Sequence, residues 1–177
     1  MNCLSNIATH DLARDLVSDV VAMLTSNRPY TRKRALLLLY KLLLKYPDAL
    51  RPSFPQIKAR LEDDDLSVCS AAVNIVVELA QRNPKNFLAL APLLFKILTT
   101  TGNNWMLIKV VKLLSTLCTL EPRLAKKLAD PLTNILNTSP AKSLQYEVIS
   151  AVFKSIPQNE KVCHNAYPLI FTCFVLC

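Results

Sequence analysis

Four stretches of the chain repeat one spacing of apolar residues, and each ends at a proline: Pro47, Pro84, Pro122 and Pro157, separated by 37, 38 and 35 residues. Nine residues before the proline stand Leu38, Ile75, Leu113 and Val148, and eight before it Leu39, Val76, Leu114 and Ile149. Five before come Leu42, Leu79, Leu117 and Val152; four before come Leu43, Ala80, Cys118 and Phe153. Twelve before stand Ala35, Ala72 and Val110, with Gln145 breaking the series. Apolar residues at i, i+3, i+4, i+7 and i+8 cover one broad face of an α-helix. The closing proline stops each helix, because it has no N–H to give to the preceding turn and restricts the residue before it.

A second series, Pro55, Pro92, Pro131 and Pro168, is spaced by 37, 39 and 37 residues. It predicts a second, shorter helix in each repeat, with the proline near its start, where a missing N–H costs little. The unit is a helix–turn–helix of about 37 residues, close to the size of HEAT and armadillo repeats. Residues 1–27 read as the end of one repeat, and 28–64, 65–102, 103–138 and 139–177 as helical hairpins. A hairpin of this kind cannot bury its apolar face alone. The expected fold is therefore all-α: a right-handed α-solenoid of about four to five HEAT/armadillo-like helix pairs around one continuous core. The chain opens inside a repeat and closes on an apolar one, so a fragment of a longer trunk is expected.

Composition narrows the function classes. A single glycine, Gly102, stands against 11 prolines. Dinucleotide and phosphate loops need several glycines close together, which this chain lacks. Six cysteines without a CxxC pair, most of them in apolar helical runs, read as reduced, buried thiols rather than a disulfide framework. Asp11, Arg14 and Asp15 interrupt the first apolar pattern, which argues against a secretory signal. The uncharged apolar stretch Ala166 to Cys177 is too short to span a bilayer as a helix.

Charge changes the picture more. The net +8 of the chain is concentrated between Arg28 and Arg60, where nine basic residues face one acid, Asp48. The other 144 residues hold 12 basic and 12 acidic side chains and sum to zero. Arg34, Lys41 and Lys45 are spaced to share one helix face, with Arg32 and Lys33 at the start of the same helix. These five are the candidate contact to a partner or a membrane; the plain alternative is a solvated polar face. Nucleic acid is not expected, since no recognition motif accompanies the charge.

Chemistry has little to stand on. Of the two histidines, His164 adjoins Cys163, a spacing that throws the side chains about 100° apart on a helix and suits chelation poorly. The acid run Glu62 to Asp65 lacks the alternating spacing of a calcium loop, and Asp64 or Asp65 fits the N-cap of the helix starting near Leu66. No catalytic set, metal site or cofactor is expected, and the chain reads as non-enzymatic.

The runs "CLSNIATHDLARDLVSDVVAML" and "RPYTRKRALLLLYKLLLKYPDALRP" resemble the N-terminal trunk of the large adaptin chains of clathrin-type adaptor complexes. The recurrent helix start of that family, Tyr-x-Arg-Lys-(Lys/Arg)-Ala, is matched by Tyr30, Arg32, Lys33, Arg34 and Ala35. "NPKNFLALAPLLFKILTTTGNNWMLIKVVKLL" and "LEPRLAKKLADPLTNIL" resemble the delta-type chain of the third adaptor complex, with the likeness running from Asn2 to Phe153. The turn at Asp63 to Leu66 lacks the prolines of delta-type chains, and the tail after Pro157 departs from the pattern, as a truncated or misjoined product would.

The resemblance implies a trunk assembling with a small sigma-type chain, a beta-type large chain and a medium chain. It implies a coat protein in the cytoplasm, peripheral on Golgi, endosome or vesicle membranes, that sorts cargo toward lysosomes and related organelles. It also implies recruitment by an ARF-type GTPase and an anionic membrane surface. The rival reading is an importin-like or other basic α-solenoid binding module. That module would need an acidic groove or a Trp/Asn ladder, whereas this chain has one tryptophan, Trp105, and a basic stretch.

Overall fold

The computed structural model describes residues 9–155, which form eight α-helices and no strand among the described residues. The helices are α1 (His10–Met23), α2 (Pro29–Lys45), α3 (Leu50–Leu61), α4 (Leu66–Arg82), α5 (Ala91–Thr100), α6 (Asn104–Cys118), α7 (Pro122–Thr138) and α8 (Lys142–Ser155). Short 3₁₀ segments, Pro47–Ala49 and Pro84–Leu90, lead into α3 and α5. The chain divides into two compact units, one ending at Val76 and one beginning at Val77.

In the first unit α1 packs on α2, and the Pro47–Ala49 turn packs on α2 and α3. Thr9 caps α1 by accepting from the Leu12 amide. Pro29 seeds α2, its fixed φ and absent N–H being harmless in the first turn. The apolar face of α2, from Ala35 to Leu43, is buried as the spacing predicts, with Leu39 and Leu42 fully enclosed. At the end of α2 the Tyr46 amide still donates to the Leu42 carbonyl, and Pro47 then breaks the helix.

In the second unit α6 packs on α5, α7 and α8, and α7 packs on α8. Asn103 caps α6 by accepting from the amides of Trp105 and Met106. The periodic positions Leu113, Leu114, Leu117, Val148 and Val152 are buried, while Phe153, at a position buried in the other copies, is 42% exposed. Gln145 stands where the other copies carry Ala35, Ala72 and Val110, and it too is buried.

The second proline series behaves less uniformly than its spacing suggests. Pro92 lies in the first turn of α5, but Pro55 and Pro131 lie inside α3 and α7. The α7 helix is seeded earlier, by Pro122, and α3 starts at Leu50, directly after the Pro47–Ala49 turn. Once seeded, each helix runs through its inner proline at the cost of one backbone hydrogen bond. The expected positions of Pro157 and Pro168, of Cys3, Cys163, Cys173 and Cys177, and of His164 lie outside the described residues.

Candidate interaction surface

The five basic candidates all sit on α2, but the helix sends them to different sides. Residues at 100° per step place Arg34, Lys41 and Lys45 in one row and Arg32 on the far side. Lys41 and Lys45 are exposed; Lys33 and Arg34 are half-exposed. Arg34 lies over the ring of Tyr30, its guanidinium carbon 5.2 Å from the centroid, and its Nε donates to the Tyr30 hydroxyl at 3.1 Å. Tyr30 and Leu37 are exposed on the same face. The outer row thus alternates cations with apolar surface.

Arg32 has a different task. Its Nη1 donates to the carbonyls of Ser26 at 2.9 Å and Asn27 at 3.2 Å, and its Nη2 donates to Asp63 Oδ1 at 2.7 Å. Arg60 Nη1 donates to the other oxygen, Asp63 Oδ2, at 2.8 Å. The Asp63 side chain is only 2% exposed. Its amide partner is Asp65, whose N–H donates to Oδ1 at 3.0 Å. Burial raises the Asp63 pKa, but the hydrogen bonds from Arg32 and the Asp65 amide, with the charges of Arg32 and Arg60, outweigh it, so the carboxyl stays below its ordinary value. One carboxylate therefore joins the α1–α2 turn, the end of α3 and the start of α4.

The acid run is divided between two roles. Asp65 caps α4, its Oδ1 accepting from the Ser67 amide at 2.8 Å, the Ser67 hydroxyl at 2.6 Å and the Val68 amide at 3.3 Å. These bonds, led by the Ser67 hydroxyl, lower the Asp65 pKa. Asp63 was not singled out by the sequence, since a pairing between residues 31 positions apart has no local signature. The only available signal was the excess of arginine over acid just before it.

Cys69 and Cys118 are free and buried. Burial pushes the Cys118 thiol up to about 11 and raises Cys69 as well, so both are neutral thiols near pH 7. His10 lies edge-on to Tyr46, with ring centroids 5.2 Å apart. Among the described residues no cluster of three or more His, Cys, Asp or Glu side chains could hold a metal ion, and no helix is long and apolar enough to cross a membrane. What the site offers is shape and charge: a helix face of exposed and half-exposed cations, fixed in place by a partly buried arginine on its other side.

Residues 1–174 match the Adaptin N terminal region family. The AP-3 complex subunit delta of Dictyostelium discoideum is 57% identical over 150 residues, 84% of this chain and 13% of that protein. The AP-3 complex subunit delta-1 of Bos taurus is 54% identical over 149 residues, again 84% of this chain and 12% of that protein. A chain of a homology model of the full-length AP-3 complex in an intermediate open conformation superposes with a TM-score of 0.79 at 40% identity, covering 96% of this chain and 29% of that one. The chain spans about an eighth of the length of the curated relatives it matches. Its paired helices are those of the α-solenoid trunk, and with more than half of its aligned positions identical to delta subunits, the chain belongs to the adaptin N-terminal family, in its delta-type branch.

Proposed function

We propose that this chain is a non-enzymatic scaffold segment of the large subunit of a vesicle-coat adaptor, serving intracellular protein transport and the sorting of cargo toward lysosomes and related organelles. The observation that carries this reading is the identity of 57% and 54% to AP-3 delta subunits over 84% of the chain. Its partners on this reading are the small sigma-type chain, the beta-type large chain and the medium chain of the same complex. An ARF-type GTPase and an anionic membrane bring it to Golgi, endosome or vesicle surfaces from the cytoplasm. The helical hairpins 28–64, 65–102, 103–138 and 139–177 are its working units.

Within that scaffold we assign the contact to Lys33, Arg34, Lys41 and Lys45, with Arg32 ordering the start of their helix rather than touching the partner. The alternation of cations with Tyr30 and Leu37 supports it, because a face carrying both charge and apolar area can hold a partner that salt alone would release. An importin-like module is less well supported: Trp105 is the one tryptophan, and Lys109 lies over its ring, 5.4 Å from the centroid.

Co-purification tests the assignment. A delta-type trunk containing this segment is expected to bring down the small sigma-type chain when the two are co-expressed. A soluble, folded trunk that leaves the small chain behind overturns it. Replacing Lys41 and Lys45 by glutamate tests the contact face separately, by loss of binding to the small chain or to vesicles containing anionic phospholipid.

A further inference from the structure

Of the 11 prolines in the sequence only Pro140 follows a serine or threonine. The step lies in Ser139-Pro140-Ala141-Lys142, the turn between the end of α7 at Thr138 and the start of α8 at Lys142. A proline holds the residue before it in the extended region, and Ser139 obeys, with φ −83° and ψ 127°. Its neighbours Asn137, Thr138, Pro140, Lys142 and Ser143 are exposed, and Ser139 itself is half-buried. The Ser139 Oγ accepts from the Ala141 amide at 3.3 Å, and its own proton goes to no acceptor among the described residues.

Protein kinases bind the reacting residue and its neighbours in extended form. A kinase whose pocket after the serine offers no carbonyl leaves the N–H of an ordinary residue unpaired there, and so selects proline, which has none. Lys142, three residues after the serine, adds a charge to be read. There is room for the product: Thr138, Ser139 and Pro140 help to line a cavity of about 650 Å³ that Leu98 of α5, Leu107 of α6 and Leu144 of α8 also line. There is also a place for its charge. Helices α1, α4 and α6 begin at capping side chains, Thr9, Asp65 and Asn103. The first bond of α8 runs from the Gln145 amide to the carbonyl of Ala141 at 3.0 Å, and a methyl group cannot cap. A phosphate on Ser139, two residues before that start, brings about two negative charges at pH 7 and three acceptor oxygens. The exposed Lys142, whose Nζ donates to Gln145 Oε1 at 3.3 Å, is the nearest cation in sequence. Asp130, the one acid in the cavity lining, favours the Lys142 side.

We propose that Ser139 is a phosphorylation site for a proline-directed serine kinase, and that its phosphate caps α8 and fastens the α7–α8 turn. In the transfer Ser139 Oγ bonds to the γ-phosphorus of ATP, and the bond from that phosphorus to the β,γ-bridging oxygen breaks. ADP leaves, and the hydroxyl proton passes to the catalytic carboxylate of the kinase. The new phosphate accepts from the amides of the first turn of α8 and from the Lys142 ammonium. The proposal rests neither on the basic face of α2 nor on the adaptor reading.

The test is phosphorylation of the folded 177-residue chain by a purified cyclin-dependent kinase with ATP, with mass spectrometry to count the phosphate and place it. One phosphate on Ser139 is expected. Pro140→Ala, checked by circular dichroism for an unchanged helix content, should react about tenfold more slowly. A free peptide spanning Asn134 to Gln145 controls for recognition. If the peptide reacts and the folded chain does not, the turn is closed to the kinase and the proposal is overturned; if neither reacts, the sequence is no substrate and the result is the same. Equal rates for Pro140→Ala and wild type overturn the proline-directed reading. Hydrogen exchange on the phosphorylated chain tests the cap. The Ser143 and Leu144 amides should exchange more slowly than in the unmodified chain, and Lys142→Gln at equal phosphate content should lose part of that slowing. Unchanged or faster exchange at those amides overturns the cap.

Discussion

Four helices of this chain follow a turn in which carbonyls of the turn itself or of the preceding helix's end have no helical donor, and the two units treat those carbonyls differently. In the first unit the fourth residue of α2 is Arg32, which donates to the Ser26 and Asn27 carbonyls. The fourth residue of α4 is Cys69, whose Sγ lies 3.0 Å from the Leu61 carbonyl, the last residue of α3. In the second unit the fourth residue of α8 is Gln145, whose Nε2 donates to Ser139 at 2.8 Å and more weakly to Leu136 at 3.4 Å. The fourth residue of α6 is Leu107, which has no donor and lines a cavity of about 650 Å³. One geometric position thus carries a cation, a thiol, an amide and a hydrocarbon. The position is set by helix geometry; the residue chosen sets the strength of the tie and its response to pH.

The charged version should be the hardest to lose. Asp63→Ala leaves Arg32 and Arg60 facing each other without their shared carboxylate, and should destabilise the first unit by about 3 kcal/mol. Native-state hydrogen exchange should show lost protection in α1 and α2 while α8 keeps its own. Equal loss in both units would show that the tie is not local. The same group makes the first unit the acid-sensitive one. Asp63 is held below its ordinary pKa, so its contribution is complete above the unfolded value of about 3.9 and is lost as pH falls through the lower folded value. Exchange measured from pH 5 downward should see α2 lose protection before α8, and that pH dependence should vanish in Asp63→Ala, whose α2 is already less protected at every pH.

These two helices also show what was legible in the sequence. The helices were, because the apolar spacing repeats at Leu38, Leu39 and Leu42 and again at Val148, Ile149 and Val152. The α4 cap was, because a carboxylate before a helix start acts within three residues, and Asp65 does so. Gln145 was visible only as a break in the pattern; its reason is the carbonyls that it bonds. Arg32 was grouped with Arg34 for its charge and its place at the helix start; the spacing puts the two on opposite sides of the helix, but it does not say that an acid 31 residues later will claim Arg32. Nothing in the turn between α5 and α6 requires its glycine: the φ of Gly102 is not positive and an added Cβ would meet nothing within 4 Å.

The neutral versions of the tie should rank below the charged one and ignore pH. Gln145→Leu keeps most of the volume but leaves the Ser139 and Leu136 carbonyls without their side-chain donor, at a cost of about 1–2 kcal/mol. Urea denaturation should give the same loss at pH 4 and pH 7, since no ionisable group is removed; a loss confined to one pH would contradict the comparison. Cys69→Ala removes a weaker donor and a small buried sulfur, and should cost about 1 kcal/mol. A Cys69→Ala loss as large as that of Asp63→Ala would mean that packing, rather than the donor, decides the strength at this position.

The smallest effect on stability separates the two sides of α2. Lys41 and Lys45 are exposed and face no acid within ion-pair distance among the described residues. Reversing either to glutamate should change stability by no more than about 0.5 kcal/mol. Arg32→Glu, by contrast, would set a second carboxylate against Asp63 and turn a donor away from Ser26 and Asn27, so the first unit should lose its cooperative melt. If the exposed row is a contact surface, the lysine variants keep a wild-type thermal transition and lose their partner. The arginine variant loses both. Lysine variants that bind as tightly as wild type, with folding unchanged, would reduce the row to a solvated face and leave α2 with only the structural work of its buried side.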